Sequence, residues 1–223
     1  MAELRVEAVL FDLDGVLVDS DAIYERHWRR WAAERNVDPE AVLAVHHGRR
    51  AVEVIELFTT GLDVTAEAAR YNTGLEADRD FEGLALIPGA LEMVLVLSLD
   101  RWAIATSGPR AVAEPRMAFL GLPIPRVLVT ADDVVRGKPA PDPYLAAAEG
   151  LGVEPSRCLV VEDAPAGIAS ARAAGCRVIA VASTHRADAL RAADVVVATL
   201  SDLSIRPTGE GLIVAAIEPS STL

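Results

Sequence analysis

Short apolar runs of strand length recur along this chain with helical segments between them, and this alternation constrains the fold more than any other feature. The runs are Glu7 to Asp12, Trp102 to Thr106, Val127 to Thr130, Cys158 to Glu162, Val178 to Val181 and Val195 to Val197. They are rich in Val, Ile and Leu with little alternation, as expected of strands covered on both faces. Helical candidates such as Asp142 to Glu149 and Ala166 to Ala174 lie between them, the second closed by Gly175 as a C-cap glycine. Strand and helix repeated in this way predict an α/β fold, a Rossmann-like parallel sheet with right-handed crossovers.

The rhythm breaks once. From about Val18 to Leu84 the pattern is helical throughout, and Tyr24, Trp28 and Trp31 recur as the stripe of a packed helix. The stretch ends at Gly83, ahead of the turn Ile87-Pro88-Gly89. The expected division is a core of residues 1–17 and 85–223 with an inserted helical cap of residues 18–84. Beyond Arg206 the tail offers a short edge strand at Leu212 to Ile217, then a frayed end.

A chain of 223 residues can hold one sizeable core and a smaller inserted domain. Its 52% apolar and 24% charged residues describe a globular protein rather than a disordered one. A net charge of −12, from 21 basic and 33 acidic residues, argues against a nucleic-acid partner. No apolar run approaches the roughly 18 residues of a membrane span, so no membrane partner is expected. The opening MAELRVEAVLFD lacks the regions of a signal peptide, and Cys158 and Cys176 read as buried thiols. These features lead us to expect a cytoplasmic protein, of oligomeric state left open. Among the basic residues only one is lysine, Lys138.

In an open parallel sheet, ligands bind beyond the carboxyl ends of the strands. Strand one ends in Asp12, with Asp14 two residues on; strand two ends in Thr106-Ser107-Gly108; strand four ends in Glu162-Asp163; Lys138 follows strand three. Four segments thus bring carboxylates, hydroxyls and one cation to a single edge. So many carboxylates repel one another unless a cation joins them. Magnesium suits oxygen ligands and usually takes one or two carboxylates plus phosphate and water. Such a set can hold a phosphoryl group and attack it through Asp12, with Asp14 as proton carrier. Gly15 permits the sharp turn that brings both acids to one place.

FDLDGVLVDS, the strand ending in TSG, GKPAPDPY and VVEDAPAGI resemble the four ordered motifs of the haloacid dehalogenase superfamily, and the resemblance extends to about Leu203. The helical insertion after the first strand resembles its subgroup with a small α-helical cap. The resemblance implies Asp12 as nucleophile and Asp14 as general acid/base. It implies phosphate binding by Thr106 and Lys138, with Ser107 as a neighbouring candidate. It also implies Mg2+ held by Glu162, Asp163, Asp12 and the backbone carbonyl of Asp14.

Within that superfamily, Asp14 argues against a dehalogenase, and a cap without lysine argues against a phosphonatase. The cap segment HHGRR, His46 to Arg50, resembles the HG-x-R pattern of sugar and polyol phosphatases, including glycerol-phosphate and deoxyglucose-phosphate phosphatases. The expected activity is magnesium-dependent hydrolysis of a small sugar or polyol phosphate through an aspartyl-phosphate. A β-phosphoglucomutase-like sugar phosphomutase is the runner-up. His47, Arg49 and Arg50 are the expected specificity contacts, Arg50 foremost. A phospho-acceptor receiver domain would share an Asp, a Thr or Ser and a lysine, but is shorter, has no such insertion, and carries its acidic pair before the acceptor.

Overall fold

The computed structural model of this chain describes residues 3–209 and 211–216. The main sheet is built from β2 (Ala8–Phe11), β5 (Trp102–Ala105), β6 (Leu128–Val129), β7 (Cys158–Glu162), β8 (Arg177–Val181) and β9 (Val195–Val197). All neighbours are parallel, in the spatial order β6-β5-β2-β7-β8-β9. The order reverses between β2 and β7, and a crevice opens beyond the carboxyl ends of two strands diverging in this way. Asp12 follows β2 and Glu162 ends β7, so the acidic cluster stands at that switch point.

Alternation along the strands fixes which side chains meet. Ala8 and Leu10 of β2 and Cys158 and Val160 of β7 pack with Tyr144, Ala147 and Ala148 of α7 (Asp142–Leu151) and Ile168 of α8 (Pro165–Ala173). Val9, Phe11, Leu159 and Val161 face the opposite layer, with Trp102, α5 (Ala90–Leu95) and α6 (Arg110–Leu120). Continuing the period of two, Asp12 and Glu162 fall on the α7 side. Lys138 and Tyr144 wait for them there.

The interval between β2 and β5 holds α1 (Asp21–Arg35), α2 (Pro39–Leu43), α3 (Ala51–Phe58) and α4 (Val64–Ala77). Its two linkers pair with each other as the short antiparallel strands β3 (Val18–Asp19) and β4 (Ala85–Leu86). Inside the cap Trp28 stacks on Tyr71 with ring centroids 4.0 Å apart, and Trp31 meets Trp28 edge-on at 5.6 Å. The aromatic stripe is thus largely packing, as its spacing implied.

The tail departs from expectation. β11 (Gly211–Ala216) is not an edge strand; it lies between β1 (Glu3–Val6) and β10 (Leu203–Thr208) in a second, antiparallel sheet. The alternating segment ELRV gives no apolar run to announce β1, yet β1 supplies the pairing that makes β11 central. Ile217, the expected end of this strand, lies outside the described residues.

Trp102 is 1% exposed, with Phe11 edge-on at 6.3 Å. Trp102→Ala should therefore cost about 3–5 kcal/mol, read as a lower urea midpoint with little change in slope.

Candidate active site

The site begins with a buried cation. Lys138 is fully enclosed, its Nζ 3.0 Å from Asp12 Oδ1 and 2.7 Å from Glu162 Oε1. Burial works against the ammonium, but the two carboxylates outweigh it and raise the lysine above its ordinary value. Glu162 is saturated. Its Oε1 also accepts from the Tyr144 hydroxyl at 2.8 Å, and its Oε2 accepts from the backbone N–H groups of Asp163 and Ala164 at 2.9 and 3.0 Å. Burial pushes the Glu162 carboxyl up, but Lys138 and these donors together pull it below the usual range, so it stays ionised.

One ammonium thus faces three buried carboxylates, and Glu162 satisfies it first. Asp12 and Asp163 are left over. Burial, followed in order by the Lys138 attraction and Glu162 repulsion, leaves Asp12 pushed up to about 8. Burial and repulsion from Glu162 and Asp12 raise Asp163 well above the carboxylate range. Fully ionised, the three carboxylates would exceed the one ammonium by two negative charges, the surplus a divalent cation would neutralise.

The donor set fits such an ion. One oxygen each from Asp12, Glu162 and Asp163 lie within 4.8 Å of one another. Asp163 Oδ1 is buried and without a hydrogen-bond partner, while its Oδ2 is engaged by the Thr184 hydroxyl. Gly15 has φ +82°, and a Cβ there would collide with Asp163 Oδ2. The close approach requires a bare Cα as well as the left-handed backbone. Of the expected ligands, Asp12 and Asp163 have oxygens to offer. Glu162 has an oxygen in the set too, and its oxygens also meet four donors, through which it anchors Lys138 and the Asp163 turn.

Asp12 Oδ1 accepts from the Leu13 N–H at 2.7 Å as well as facing Lys138, and no donor among the described residues reaches Oδ2. The side chain lines a narrow cleft, partly open to solvent, between core and cap. Asp14 lines it too, accepting a 2.6 Å bond from Ser20 and, at longer range, facing Tyr24 (3.5 Å) and Thr106 (3.4 Å). Arg116 of α6 is buried beneath, 3.6 Å from Asp14 Oδ1 and 4.7 Å from the Tyr24 ring centroid.

The expected residues do not all converge. Asp12, Asp14, Thr106, Ser107, His47 and Arg49 line the cleft. Ser107 donates to the Gly48 carbonyl of the cap at 2.9 Å, so its hydroxyl is held by the cap loop. His47 Nε2 lies 3.1 Å from Asp21 Oδ1, and burial pushes its neighbour His46 down to about 3, leaving a neutral ring against Trp28. Arg50 departs from the foremost specificity role: it is not in the cleft wall, and its guanidinium joins Glu53 and the carbonyls of Val134 and Val135. It is the N-cap residue of α3, in extended backbone, and its neighbour Arg49 lines the cleft.

Ser20, Tyr24, Asn72, Arg116, Tyr144 and Thr184 belong to the site and were not expected there. Ser20, closing FDLDGVLVDS, and Tyr144, closing GKPAPDPY, were the two within reach of a motif. Ser20 reads as a helix cap, yet makes no capping bond and turns to Asp14 instead.

A haloacid dehalogenase-like hydrolase profile matches residues 6–175. The chain belongs to that family. It is 43% identical over 217 residues to hexitol phosphatase A of Escherichia coli, covering 94% of this chain and all of the relative. It is 38% identical over 202 residues to glycerol-1-phosphate phosphohydrolase 2 of Saccharomyces cerevisiae, covering 84% and 79% respectively. Among solved structures it is similar to CbbY of Rhodobacter sphaeroides in complex with phosphate, at a TM-score of 0.72 and 25% identity over 88% of this chain and 96% of that one. The resemblance read from the four motifs is borne out, as is the expectation of a phosphoric monoester hydrolase.

The surplus charge has a measurable consequence for the metal-free protein. Asp12 moves from 3.8 to about 8 on folding, so the folded state keeps a proton that the unfolded chain releases. Its contribution is fully present below the lower value and is lost as pH rises through the upper one. In chelator, wild type should lose more stability between about pH 6 and about pH 8 than Asp12→Asn does, read from urea midpoints. An equal loss in the two proteins refutes the assignment.

Proposed function

We propose that this chain is a magnesium-dependent phosphatase of small sugar or polyol phosphates. The observation that carries the reading is the asymmetry of Asp12: one oxygen pinned by Leu13 and Lys138, the other unbonded at the cleft. The free Oδ2 attacks phosphorus, forming an aspartyl-phosphate as the ester oxygen departs. Asp14 gives that oxygen a proton, then takes one from the water that cleaves the acyl phosphate. Lys138 has spent bonds on Asp12 and Glu162 and keeps a third N–H direction for a phosphate oxygen. The Thr106 hydroxyl, fixed by the Gly108 N–H at 3.1 Å, is placed for another. Asp12, Asp163 and the Asp14 carbonyl, with Glu162 beside them, would hold magnesium, which would supply positive charge to offset the phosphate and the carboxylates.

The rest of the cleft suits a polyhydroxylated leaving group. Trp28, Tyr71 and Leu75 form an apolar wall, while Asp21, His47, Arg49 and Asn72 offer donors and acceptors for hydroxyls. Relatives named for hexitol and glycerol phosphates support this class. The proposed setting is the cytoplasm; both cysteines are unpaired, and no helix among the described residues is long and apolar enough to cross a membrane.

A magnesium-supported screen over hexitol, glycerol, sugar, glycolate and nucleotide monophosphates tests the proposal, with Asp12→Asn as blank. Polyol and sugar phosphates should lead and the blank should be inactive. Turnover by the blank refutes the mechanism, and nucleotides leading refutes the substrate class. Asp14→Asn should lower kcat by about 10²–10⁴ on alkyl phosphates, measured as released phosphate.

A further inference from the structure

The loop that delivers Lys138 is held by the core on its far side, where Ser170 donates to the Ala140 carbonyl at 2.6 Å and the Ala140 N–H turns back to the Gly137 carbonyl at 2.9 Å. On its near side Val135 is 89% exposed, and Arg136 pairs with Asp142 at the surface. There its backbone is gripped by the cap. Arg50 donates through one guanidinium nitrogen toward the carbonyls of Val134 (3.4 Å) and Val135 (3.1 Å). Glu53 Oε1 accepts from the Gly137 N–H at 3.2 Å and from Arg50 Nε at 2.8 Å. Glu53 Oε2 closes the motif on the Arg50 N–H at 3.0 Å. Both side chains are largely shielded from solvent, so these charge-assisted bonds are stronger than those of an open surface pair.

Gly137 shows how close the approach is. Its φ lies outside the left-handed region, so the backbone itself does not require glycine. The space does: a Cβ would lie 2.6 Å from Glu53 Oε1 and would collide with Arg50 Nε. A second bare Cα stands on the cap side, where a Cβ on Gly48 would come within 2.9 Å of the Ala164 Cβ. Ser107 then ties the Gly48 carbonyl to the loop after β5. The turn from Gly48 to Glu53 therefore touches the loops that carry Thr106, Lys138 and Asp163.

We propose that Arg50 and Glu53 form a latch through which the closed cap seats the Lys138 loop, making Arg50 a positioning residue rather than a reader of the leaving group. The cap would then close onto the core by recognising backbone that is the same whatever ester is bound. Its activity test rests on the phosphatase reading above, and amide exchange tests the latch without catalysis.

Arg50→Ala should lower kcat about tenfold or more, alike for a polyol phosphate and a simple aryl phosphate, since misplacing a catalytic group costs rate on every substrate. A loss confined to the polyol phosphate overturns the proposal, because it returns Arg50 to leaving-group recognition. Gly137→Ala should cause a comparable loss in the wild-type background and little further loss in Arg50→Ala/Glu53→Ala, where the collision is gone. Full additivity overturns the proposal, because the glycine would then serve only its own loop. In Glu53→Ala the Gly137 amide should exchange faster with solvent deuterium while the thermal midpoint stays near wild type. Unchanged exchange overturns the latch even if the enzyme proves to act on another substrate.

Discussion

Lys138 sits wholly inside the protein between Asp12 and Glu162, and most of the site's properties follow from how that one positive charge is shared. A buried ammonium survives only with partners, and Glu162 is the stronger one because Tyr144 and two backbone N–H groups hold it in place. Asp12 receives what remains. It is oriented by the lysine without being held ionised by it, which leaves a carboxyl group at the floor of a cleft, aimed but pushed up to about 8. Asp163, with one oxygen unpartnered, is in the same position. The arrangement costs stability in the metal-free protein and would be relieved by a divalent cation and a phosphate oxygen, as the proposed function requires.

That division of labour changes what the acidic pair does. Two adjacent carboxylates at a strand end look alike in sequence, but the pleat sends them to different surroundings. Glu162 continues β7 and points to the α7 side, where Lys138 and Tyr144 receive it. Asp163 lies past the strand, against Gly15 and Thr184. One becomes the anchor of the lysine and the other a group with an oxygen to give.

Much of the fold was legible because a parallel sheet buried on both faces leaves uninterrupted apolar runs, and because polar residues at their ends have few reasons to be there except chemistry. Asp12, Asp14, Thr106 and Lys138 were readable on that ground. β1 was not, since ELRV alternates and has no apolar run. Nor was Arg116, a charged residue in a helix that gives no sign of being 3% exposed beneath Tyr24. Ser20 was misleading because the position before a helix favours serine for capping, a preference that tertiary contact with Asp14 overrides here. Such partners come from elements far apart in sequence, and only the fold brings them together.

Arg49 and Arg50 show the same limit at its smallest scale. Adjacent and identical in chemistry, they stand where the loop enters α3, and the extended backbone at Arg50 sends successive side chains to opposite sides. Arg49 is turned to the cleft and Arg50 to the seam with the core. On the proposals above, a cap that met substrate with one arginine and core backbone with the next would tie two requirements to a single short turn: a leaving group that fits, and a lysine loop in its working position. Closure that satisfies both at once excludes water from the ester only when the cationic group beneath it is already in place. For a nucleophile held as Asp12 is, with its burial unfavourable until phosphate arrives, that coincidence limits the reactive state to the occupied, closed enzyme.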